Sequence, residues 1–435
     1  MRTAPWLVAA QVVLNVLLLL VGLWLAASGG RRGLFLLALV PLVFVPFSYA
    51  RLRLHRFLEP RLAPAFVWLL VVAGLLFDTI MVAQLLSARQ PLDAAILNAP
   101  GVTWVGAVWF SAHALLLVAY AVAGLARLGS APVRRVLSTV RPATSRADEL
   151  SIGRRELLQK AGLFGVAVPF GISLSGVPLS YDFRVERREI VVPSWPGGLD
   201  GLRVVHLSDI HVGGSMDRHR LLQVAQLTNE CRPDLILHTG DFLTHRAGDF
   251  AAPLYEALAR IEAPHGQWAC LGNHDYDDPP SLEQRLRESG VVVLRNRVAA
   301  LSLRGTPLEI GGIDFVFGRS QRAAMHERTI AGWGPRGGAP RILLSHDPST
   351  FDELPNGCAD LVLSGHTHGG HIGVQLSSSH AITVVGLAGL PDQGLFVRGD
   401  MRLYVTRCVG FYGYPMRIGI PPEIALLVLR SPGSV

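Results

Sequence analysis

Hydrophobic and polar positions divide this chain into two parts with different patterns. In the first part the apolar residues form long runs, which lie at 6–27, 33–50, 62–86, 102–126 and, shorter than the others, 161–177. Each of the first four is about long enough to cross a ~30 Å hydrocarbon core as a helix. The pattern therefore predicts an N-terminal multi-span transmembrane helical region of about five helices over residues 1–178.

The second part begins at about Leu179, where the pattern becomes one of short apolar runs separated by polar turns and amphipathic stretches. This alternation is typical of a water-soluble α/β domain. Residues 179–435 are also numerous enough to bury a core of their own. We therefore expect a membrane region followed by one globular domain.

The basic excess of the chain lies in its N-terminal part. The formal net charge is +7, but residues 1–178 carry 16 Lys and Arg against 6 Asp and Glu, and the rest carries 24 against 27. Arginines concentrate after the second and fourth apolar runs, so the positive-inside rule predicts a multi-pass protein of the cell membrane with its globular domain on the extracytoplasmic side. No nucleic-acid partner is expected, because proteins that bind phosphate backbones rely on basic surfaces.

A pair of arginines precedes the fifth apolar run. Residues 153–160 read GRRELLQK and, with the modest apolar run that follows, resemble a twin-arginine export signal. An ordinary, positively flanked fifth span would have the same residues. No small-residue cleavage site follows, so both interpretations predict a domain that stays tethered.

Two ionisable residues, Asp78 and His113, interrupt the predicted spans. Such groups are costly in lipid and often functional. They support an alternative function, that of a membrane transporter or sensor whose outer domain only binds phosphate ligands. A simple pair that holds the helices together would also account for them, and we favour that interpretation.

Five short apolar runs in the globular part each end in a cluster of Asp, Asn or His. The runs are 202–207, 234–239, 267–271, 341–345 and 359–364, and they lead into SDIH, GD, GNHD, HDP and GHTH. Helix-like stretches such as Arg218–Cys231 and Ser281–Ser289 lie between them. Groups that follow buried strands meet at one edge of the sheet in a layered α/β domain, so we expect these clusters to converge.

The converging residue types are those of a transition-metal site. Asp and His two positions apart after a strand point the same way, as do the two histidines of GHTH, and a carboxylate can bridge two cations. The candidate ligands are Asp209, His211, Asp241, Asn273, His346, His366 and His368. Mixed carboxylate and imidazole ligands favour two divalent ions of Mn, Fe, Zn or Co over Mg or Ca. Two such ions ~3.5–4 Å apart can activate water for phosphoryl displacement.

The ordered series DxH, GD, GNHD, a strand-end His and GHTH resembles the calcineurin-like metallophosphoesterase superfamily over residues 202–371, and residues 403–429 resemble the end of its bacterial membrane-associated branch. The resemblance implies a four-layer α/β/β/α sandwich with a binuclear metal centre. It implies that one metal is bound by Asp209, His211, Asp241 and His368, and the other by the bridging Asp241 with Asn273, His346 and His366.

The resemblance also implies catalytic roles for two residues of GNHD. His274 corresponds to the non-ligand histidine that stabilises the transition state or protonates the leaving oxygen. Asp275 would orient it, as carboxylates orient imidazoles at other metal sites.

Five further positions carry separate expectations. His371 and Arg407 are candidate substrate contacts, the latter because a guanidinium can donate in a fork to phosphate. Cys408 stands where we expect glycine. His206 and His238 lie inside apolar runs and are predicted to be hydrogen-bonded core residues. The four cysteines show no CxxC spacing, and their pairing stays open.

These observations predict a membrane-anchored, binuclear metal-dependent hydrolase of a phosphate ester, phosphodiester or pyrophosphate. The predicted substrate is a phosphate compound of the membrane or cell envelope, such as a lipid-linked one. The lipid bilayer is the expected partner. Manganese is among the four metals with which we expect activity, and the sequence does not select one of them.

Overall fold

The computed structural model describes residues 9, 12, 13, 16, 104, 108, 111–119, 122, 167–213, 216–244, 251–316, 318–333, 337–377, 380–412 and 416–433. The chain divides into two compact units, Met1–Ser175 and Gly176–Val435. The domain boundary expected from the sequence, between residues 178 and 179, stays a prediction.

The multi-span transmembrane region predicted from the sequence is wrong for the part of the chain that the structure describes. No helix among those residues is both long enough and apolar enough to cross a bilayer. Residues 167–179 are helical, and residues 161–166 of the fifth apolar run lie outside the described residues.

The predicted spans at 33–50 and 62–86 lie outside the described residues, as does the twin-arginine-like stretch at 153–160. Of the spans at 6–27 and 102–126, the described residues are 9, 12, 13, 16, 104, 108, 111–119 and 122. Asp78 also lies outside the described residues. His113 is buried, and its ring meets Phe170 edge-on with the centroids 6.0 Å apart. The contact between His113 and Phe170 is a packing contact. The predicted multi-pass topology stays without structural support.

Strands dominate the second unit. In chain order they are β1 (Arg184–Val191), β2 (Leu202–Leu207), β3 (Leu235–His238), β4 (Gln267–Ala269), β5 (Val291–Val293), β6 (Arg297–Leu303), β7 (Thr306–Ile313), β8 (Arg341–Ser345), β9 (Leu361–Ser364), β10 (Gly373–Gln375), β11 (Ala381–Thr383), β12 (Gly394–Arg398), β13 (Met401–Val405) and β14 (Glu423–Arg430). All five apolar runs selected from the sequence form strands, so that prediction is confirmed.

Two six-stranded mixed sheets and a small hairpin result. The first sheet has the order β1-β14-β2-β3-β4-β5, the second has β12-β13-β9-β8-β7-β6, and β10 pairs with β11. In the first sheet β2, β3, β4 and β5 are mutually parallel, and in the second β7, β8, β9 and β13 are. Parallel strands place their carboxyl ends at the same edge, which is where the polar clusters follow.

In the described part of this unit, five helices cover the outer faces of the two sheets, and a sixth, short helix follows β11. They are α1 (Arg218–Glu230), α2 (Ala252–Ala259), α3 (Pro279–Glu288), α4 (Arg319–Ala331), α5 (Thr350–Glu353) and α6 (Val384–Leu387). The N-terminus of α1 is capped by Asp217, whose carboxylate accepts from the backbone N–H of Arg220 at 3.0 Å. Such a cap satisfies one of the helix's unpaired donors.

Three apolar clusters separate the layers and establish the sandwich. Alternation along β2 shows the arrangement: Val204 faces the cluster between the two sheets, and Val205 faces the cluster beneath α1, α2 and α3. A third cluster joins the second sheet to α4 and α5 through Trp333 and Phe351. Strands buried on both faces read as near-continuous apolar runs. The four-layer α/β/β/α sandwich expected from the sequence is therefore the fold of this unit.

His206 and His238 are core residues, as predicted. Both are almost fully buried, and each has a hydrogen-bond partner: Nε2 of His206 lies 2.9 Å from Thr239 Oγ1, and Nε2 of His238 lies 3.1 Å from Gln267 Oε1. Burial lowers the pKa of His206 to about 3 and that of His238 to about 4. All four cysteines are buried free thiols.

Candidate metal centre

Left-handed backbone marks the loops that follow the strands. Seven non-glycine residues there have φ between 50° and 67°, and they are Asp209, His211, Asp241, His366, His368, His371 and Cys408. A side chain in this conformation is strained by roughly 1–2 kcal/mol, because its Cβ crowds the following carbonyl. Strain concentrated at one edge of two sheets identifies that edge as the functional one.

One group of side chains surrounds Asp209, which follows β2. Its Oδ1 lies 3.2 Å from Nε2 of His368 and 3.8 Å from Nε2 of His211. Its Oδ2 accepts from three donors: Ser208 Oγ at 2.5 Å, the backbone N–H of His366 at 2.9 Å and Cys408 Sγ at 3.1 Å. The second oxygen is thus held by the protein, and the first faces the two imidazoles.

A second group surrounds Asp241, which follows β3. Its Oδ2 lies 3.5 Å from Nε2 of His211 and 3.4 Å from Nε2 of His346, so this carboxylate stands between the two groups. Nε2 of His346 also lies 3.0 Å from Asn273 Oδ1 and 3.0 Å from Nδ1 of His366. The structure therefore brings together all seven candidate ligands.

The arrangement of acceptor atoms fits metal ions. Nδ1 of His346 lies 2.7 Å from the Thr239 carbonyl, so this nitrogen carries the proton of the neutral ring. Nε2 of that ring then has only a lone pair, and it faces the side-chain oxygens of Asp241 and Asn273. Asp209 Oδ1 and both ring nitrogens of His211 are buried and have no hydrogen-bond partner among the described residues. Ligand atoms about 3–3.5 Å apart are what bonds of ~2.1 Å to a shared cation require.

The two carboxylates of the site favour a proton on His346. Burial alone would lower the pKa of His346, but the carboxylates of Asp241 and Asp209 outweigh it and raise that pKa to about 10. Conversely, nearby imidazoles hold the pKa of Asp209 well below its usual range despite burial. A cation would take the place of this proton, since ligating imidazoles must be neutral.

Hydroxyl groups extend inward from the site. His206 contacts Thr239 Oγ1, which donates to Ser208 Oγ at 2.7 Å, which in turn donates to Asp209 Oδ2. This series of hydrogen bonds fixes the orientation of the Asp209 carboxylate. Such supporting contacts typically matter ~10–100-fold for metal affinity.

The absence of a side chain at Gly365 leaves space for the Asp209 carboxylate. A Cβ at this position would lie 2.1 Å from Ser208 Oγ and 2.3 Å from Asp209 Oδ2. We expect Gly365→Ala to weaken metal binding by roughly 10–100-fold, because the carboxylate must turn away. Gly337→Ala is the matched control, since no heavy atom lies within 4 Å of its added Cβ. Metal titration calorimetry of both variants checks this, and equal affinities would contradict the expected crowding.

His274 lies beside the group around Asp241 and is oriented by a backbone carbonyl. Its backbone N–H donates to Asp241 Oδ1 at 2.8 Å, and its ring Nδ1 lies 3.2 Å from Thr244 O. The carbonyl fixes the proton on Nδ1 and leaves Nε2 for a substrate. Burial lowers the pKa of His274 to about 4.

Asp275 occupies a different place from the one expected of it. We predicted that it orients His274, but its carboxylate accepts from the backbone N–H groups of Asp241 at 2.8 Å, Phe242 at 2.9 Å and Gly272 at 2.9 Å. Burial raises its pKa to about 7. Asp275 therefore joins the loops after β3 and β4, and Thr244 takes the orienting role.

Of the two candidate substrate contacts, Arg407 differs from expectation, and the role of His371 stays a prediction. Arg407 is buried, and its guanidinium bonds Glu186 at 2.8 Å and lies 3.3 Å from Glu423, so it links β1 to β14 and is not directed at a phosphate. His371 stays near the site, with its ring centroid 4.7 Å from that of His368 and its Nδ1 3.2 Å from Met416 O.

Residues that the sequence did not single out complete the site. Tyr412 is half exposed, and its ring centroid lies 4.3 Å from that of His274. Arg417 is fully buried and donates to carbonyls of the surrounding loops, which belong to His368, Arg407, Cys408, Gly410 and Ile420. One indication from the sequence that this loop matters was the expectation of glycine at position 408. Cys408 has a φ of 63°, a backbone conformation that favours glycine.

Comparison with known proteins agrees with this geometry. The family model described as calcineurin-like phosphoesterase matches residues 202–370. The uncharacterized metallophosphoesterase YkuE of Bacillus subtilis is 30% identical over 64% of this chain and 98% of its own length. A transmembrane protein with metallophosphoesterase domain from Danio rerio is 32% identical over 56% of each chain. The UDP-2,3-diacylglucosamine pyrophosphatase LpxG of Chlamydia trachomatis is 27% identical over 56% of this chain and 88% of its own.

The relative from Bacillus is matched over nearly its whole length, and the family model covers all of the loops that carry the candidate ligands. Proteins with this fold generally use a dinuclear metal centre. The chain belongs to the calcineurin-like metallophosphoesterases and is a metal-dependent hydrolase of phosphoric esters.

Proposed function

We propose that the seven converging side chains hold two divalent transition-metal ions and that this centre hydrolyses a phosphodiester or pyrophosphate. The observation that carries the proposal is the approach of Asp241 Oδ2 to both His211 and His346, at 3.5 and 3.4 Å. A carboxylate in this position would bridge the ions. Asp209, His211 and His368 would complete one set of ligands, and Asn273, His346 and His366 the other.

The ions, when bound, would supply an activated water and neutralise charge on the phosphoryl oxygens. The chain's own groups supply the rest. His274 points Nε2 at the substrate because Thr244 holds Nδ1, and an anionic substrate beside the ring raises its affinity for a proton. The imidazolium can then give its proton to the leaving oxygen. Manganese suits the mixed oxygen and nitrogen ligands.

We further propose that the substrate is a phosphate compound of a membrane, such as a lipid-linked pyrophosphate. The names of two relatives support this: one contains a diacylated sugar nucleotide as substrate, and the other the word transmembrane. Membrane association of this chain is proposed on the same grounds. An extracytoplasmic position rests on the distribution of arginines alone.

Loss of His274 is expected to separate metal binding from catalysis. In His274→Ala we expect kcat for a chromogenic phosphodiester to fall by roughly 10²–10⁴-fold, the usual contribution of a positioned acid or base. Both metals should remain, because the ring contacts a backbone carbonyl rather than the ligand atoms. The measurement is steady-state hydrolysis by the manganese-loaded full chain, with metal content determined on the same samples.

His219→Ala serves as the control, because His219 is exposed on α1. Full activity of the His274→Ala variant would remove this residue from the reaction. The ratio of diester to monoester hydrolysis by the unmodified chain then selects between the two ester classes.

A further inference from the structure

A group of exposed aliphatic side chains directly follows the histidine loop. Each is at least half exposed, and Leu387 reaches 78%. They belong to the β10–β11 hairpin, to α6 and to the residues after it, and are Val374, Leu376, Ile382, Val384, Leu387 and Leu390. We call this group the apolar hairpin surface. A cluster of exposed aliphatic residues of this kind marks a site of interaction with a protein or a membrane.

The chemistry of the segment favours hydrocarbon over a protein partner. Residues 372–390 contain no Asp, Glu, Lys or Arg and no Phe, Tyr or Trp. Protein interfaces are enriched in aromatic residues and arginine, and surround their centre with a polar rim. Aliphatic side chains without charges are instead the groups whose transfer into acyl chains is favourable.

The apolar hairpin surface is fixed to the metal loop. A Cβ on Gly370 would lie 2.9 Å from the Thr383 side chain, so the loop and β11 are in close contact. Asp392 links them, because its carboxylate accepts from Thr383 Oγ1 at 2.5 Å and its carbonyl accepts from Thr367 Oγ1 at 2.6 Å. Whatever holds the surface therefore also sets the direction in which His366 and its neighbours face.

The preceding chain enters this unit beside the hairpin. Gly176 O accepts from the backbone N–H of Arg417 at 3.2 Å, and the next residue, Ile418, donates to His371 O at 2.9 Å. The 175 residues that precede this point contain the four long apolar runs, at 6–27, 33–50, 62–86 and 102–126. The entry of that chain, the hairpin and the metal loop thus share one edge of the fold.

We infer that the apolar hairpin surface lies against a lipid bilayer and turns the metal loop toward the phosphate groups at the membrane surface. The inference rests on the proposed function at a membrane, and it adds the part of the chain that makes the contact. Aliphatic side chains of the hairpin and α6 enter the acyl region, and Gly373, where β10 begins, stays near the headgroups. A substrate anchored in the same bilayer meets the site without leaving it.

A label at position 387 tests the contact in the full chain. The four native thiols are buried, so Leu387→Cys provides an exposed thiol for a polarity-sensitive fluorophore. Val292→Cys is the matched control, because Val292 is an exposed aliphatic residue on β5 of the first sheet. Both labelled proteins are added to phosphatidylcholine–phosphatidylglycerol vesicles with and without a lipid that carries a nitroxide quencher in its acyl chain. We expect a blue shift and a loss of emission at 387, and neither at 292.

Three results would overturn the inference: an unquenched label at 387, equal quenching at both positions, or crosslinking of position 387 between two copies in place of quenching. Hydrolysis of a soluble phosphodiester is measured on the same samples. Turnover with an unquenched label would remove the membrane contact and leave the proposed hydrolase intact. Quenching without turnover would support the membrane contact and contradict the proposed hydrolase.

Discussion

Replacing Asp241 with asparagine is expected to abolish hydrolysis and to release metal from both positions. The carboxylate stands between His211 and His346, and its Oδ1 accepts from the backbone N–H of His274. An amide keeps the shape but loses the charge and one acceptor oxygen. The transition-state stabilisation that metals supply amounts to several kcal/mol, so we expect kcat to fall on the order of 10³-fold or more.

Metal content per chain and steady-state hydrolysis, measured together on Asp241→Asn, check this expectation. Asp217→Asn is the matched control, because Asp217 caps α1 and asparagine is an equally good cap. If Asp241→Asn retained two ions and ordinary turnover, the carboxylate would not be a bridge.

Replacing Arg417 with methionine is expected to have the largest effect on stability. This fully buried guanidinium donates to Arg407 O at 2.8 Å, to Gly410 O at 2.6 Å and to His368 O at 3.2 Å, among other carbonyls. Burial lowers its pKa to about 10, so it stays charged at neutral pH. Methionine fills a similar volume but leaves the carbonyls buried without donors, and we expect a loss of about 3–5 kcal/mol.

Thermal unfolding monitored by circular dichroism should show this as a decrease of roughly 10 °C in Tm. Arg402→Met is the matched control, because Arg402 is partly exposed and its guanidinium donates to the nearby carbonyls of Gly399 and Met401. Metal affinity should fall as well, since Arg417 holds the loops of His368 and Cys408 in place. Equal melting temperatures for the two variants would show that the buried arginine is dispensable.

The candidate ligands were predictable because their positions follow from a local rule. A polar residue directly after a buried parallel strand lies at the sheet edge, and the five strands could be recognised from their apolar runs. The fold class of the second unit followed from the same runs. Asp209 and His346 are far apart in the sequence, and only the shared edge of two packed sheets brings their loops together.

The rest depends on tertiary contacts that no local pattern encodes. Arg407 and Arg417 are ten residues apart in an arginine-rich chain, and only the fold shows that one joins Glu186 to Glu423 and that the other supports the site. Asp275 follows His274 directly, yet its carboxylate turns toward backbone N–H groups of a different loop. The apolar run at 161–177 predicted a span, whereas no helix among the described residues is both long enough and apolar enough for one.

Anomalous X-ray scattering from crystals of the manganese-loaded chain would test the central claim most directly. The account predicts two ions ~3.5–4 Å apart, with Asp241 between them, Asp209, His211 and His368 on one side, and Asn273, His346 and His366 on the other. A single ion, two ions without a shared ligand, or ions bound elsewhere on a folded chain would contradict it.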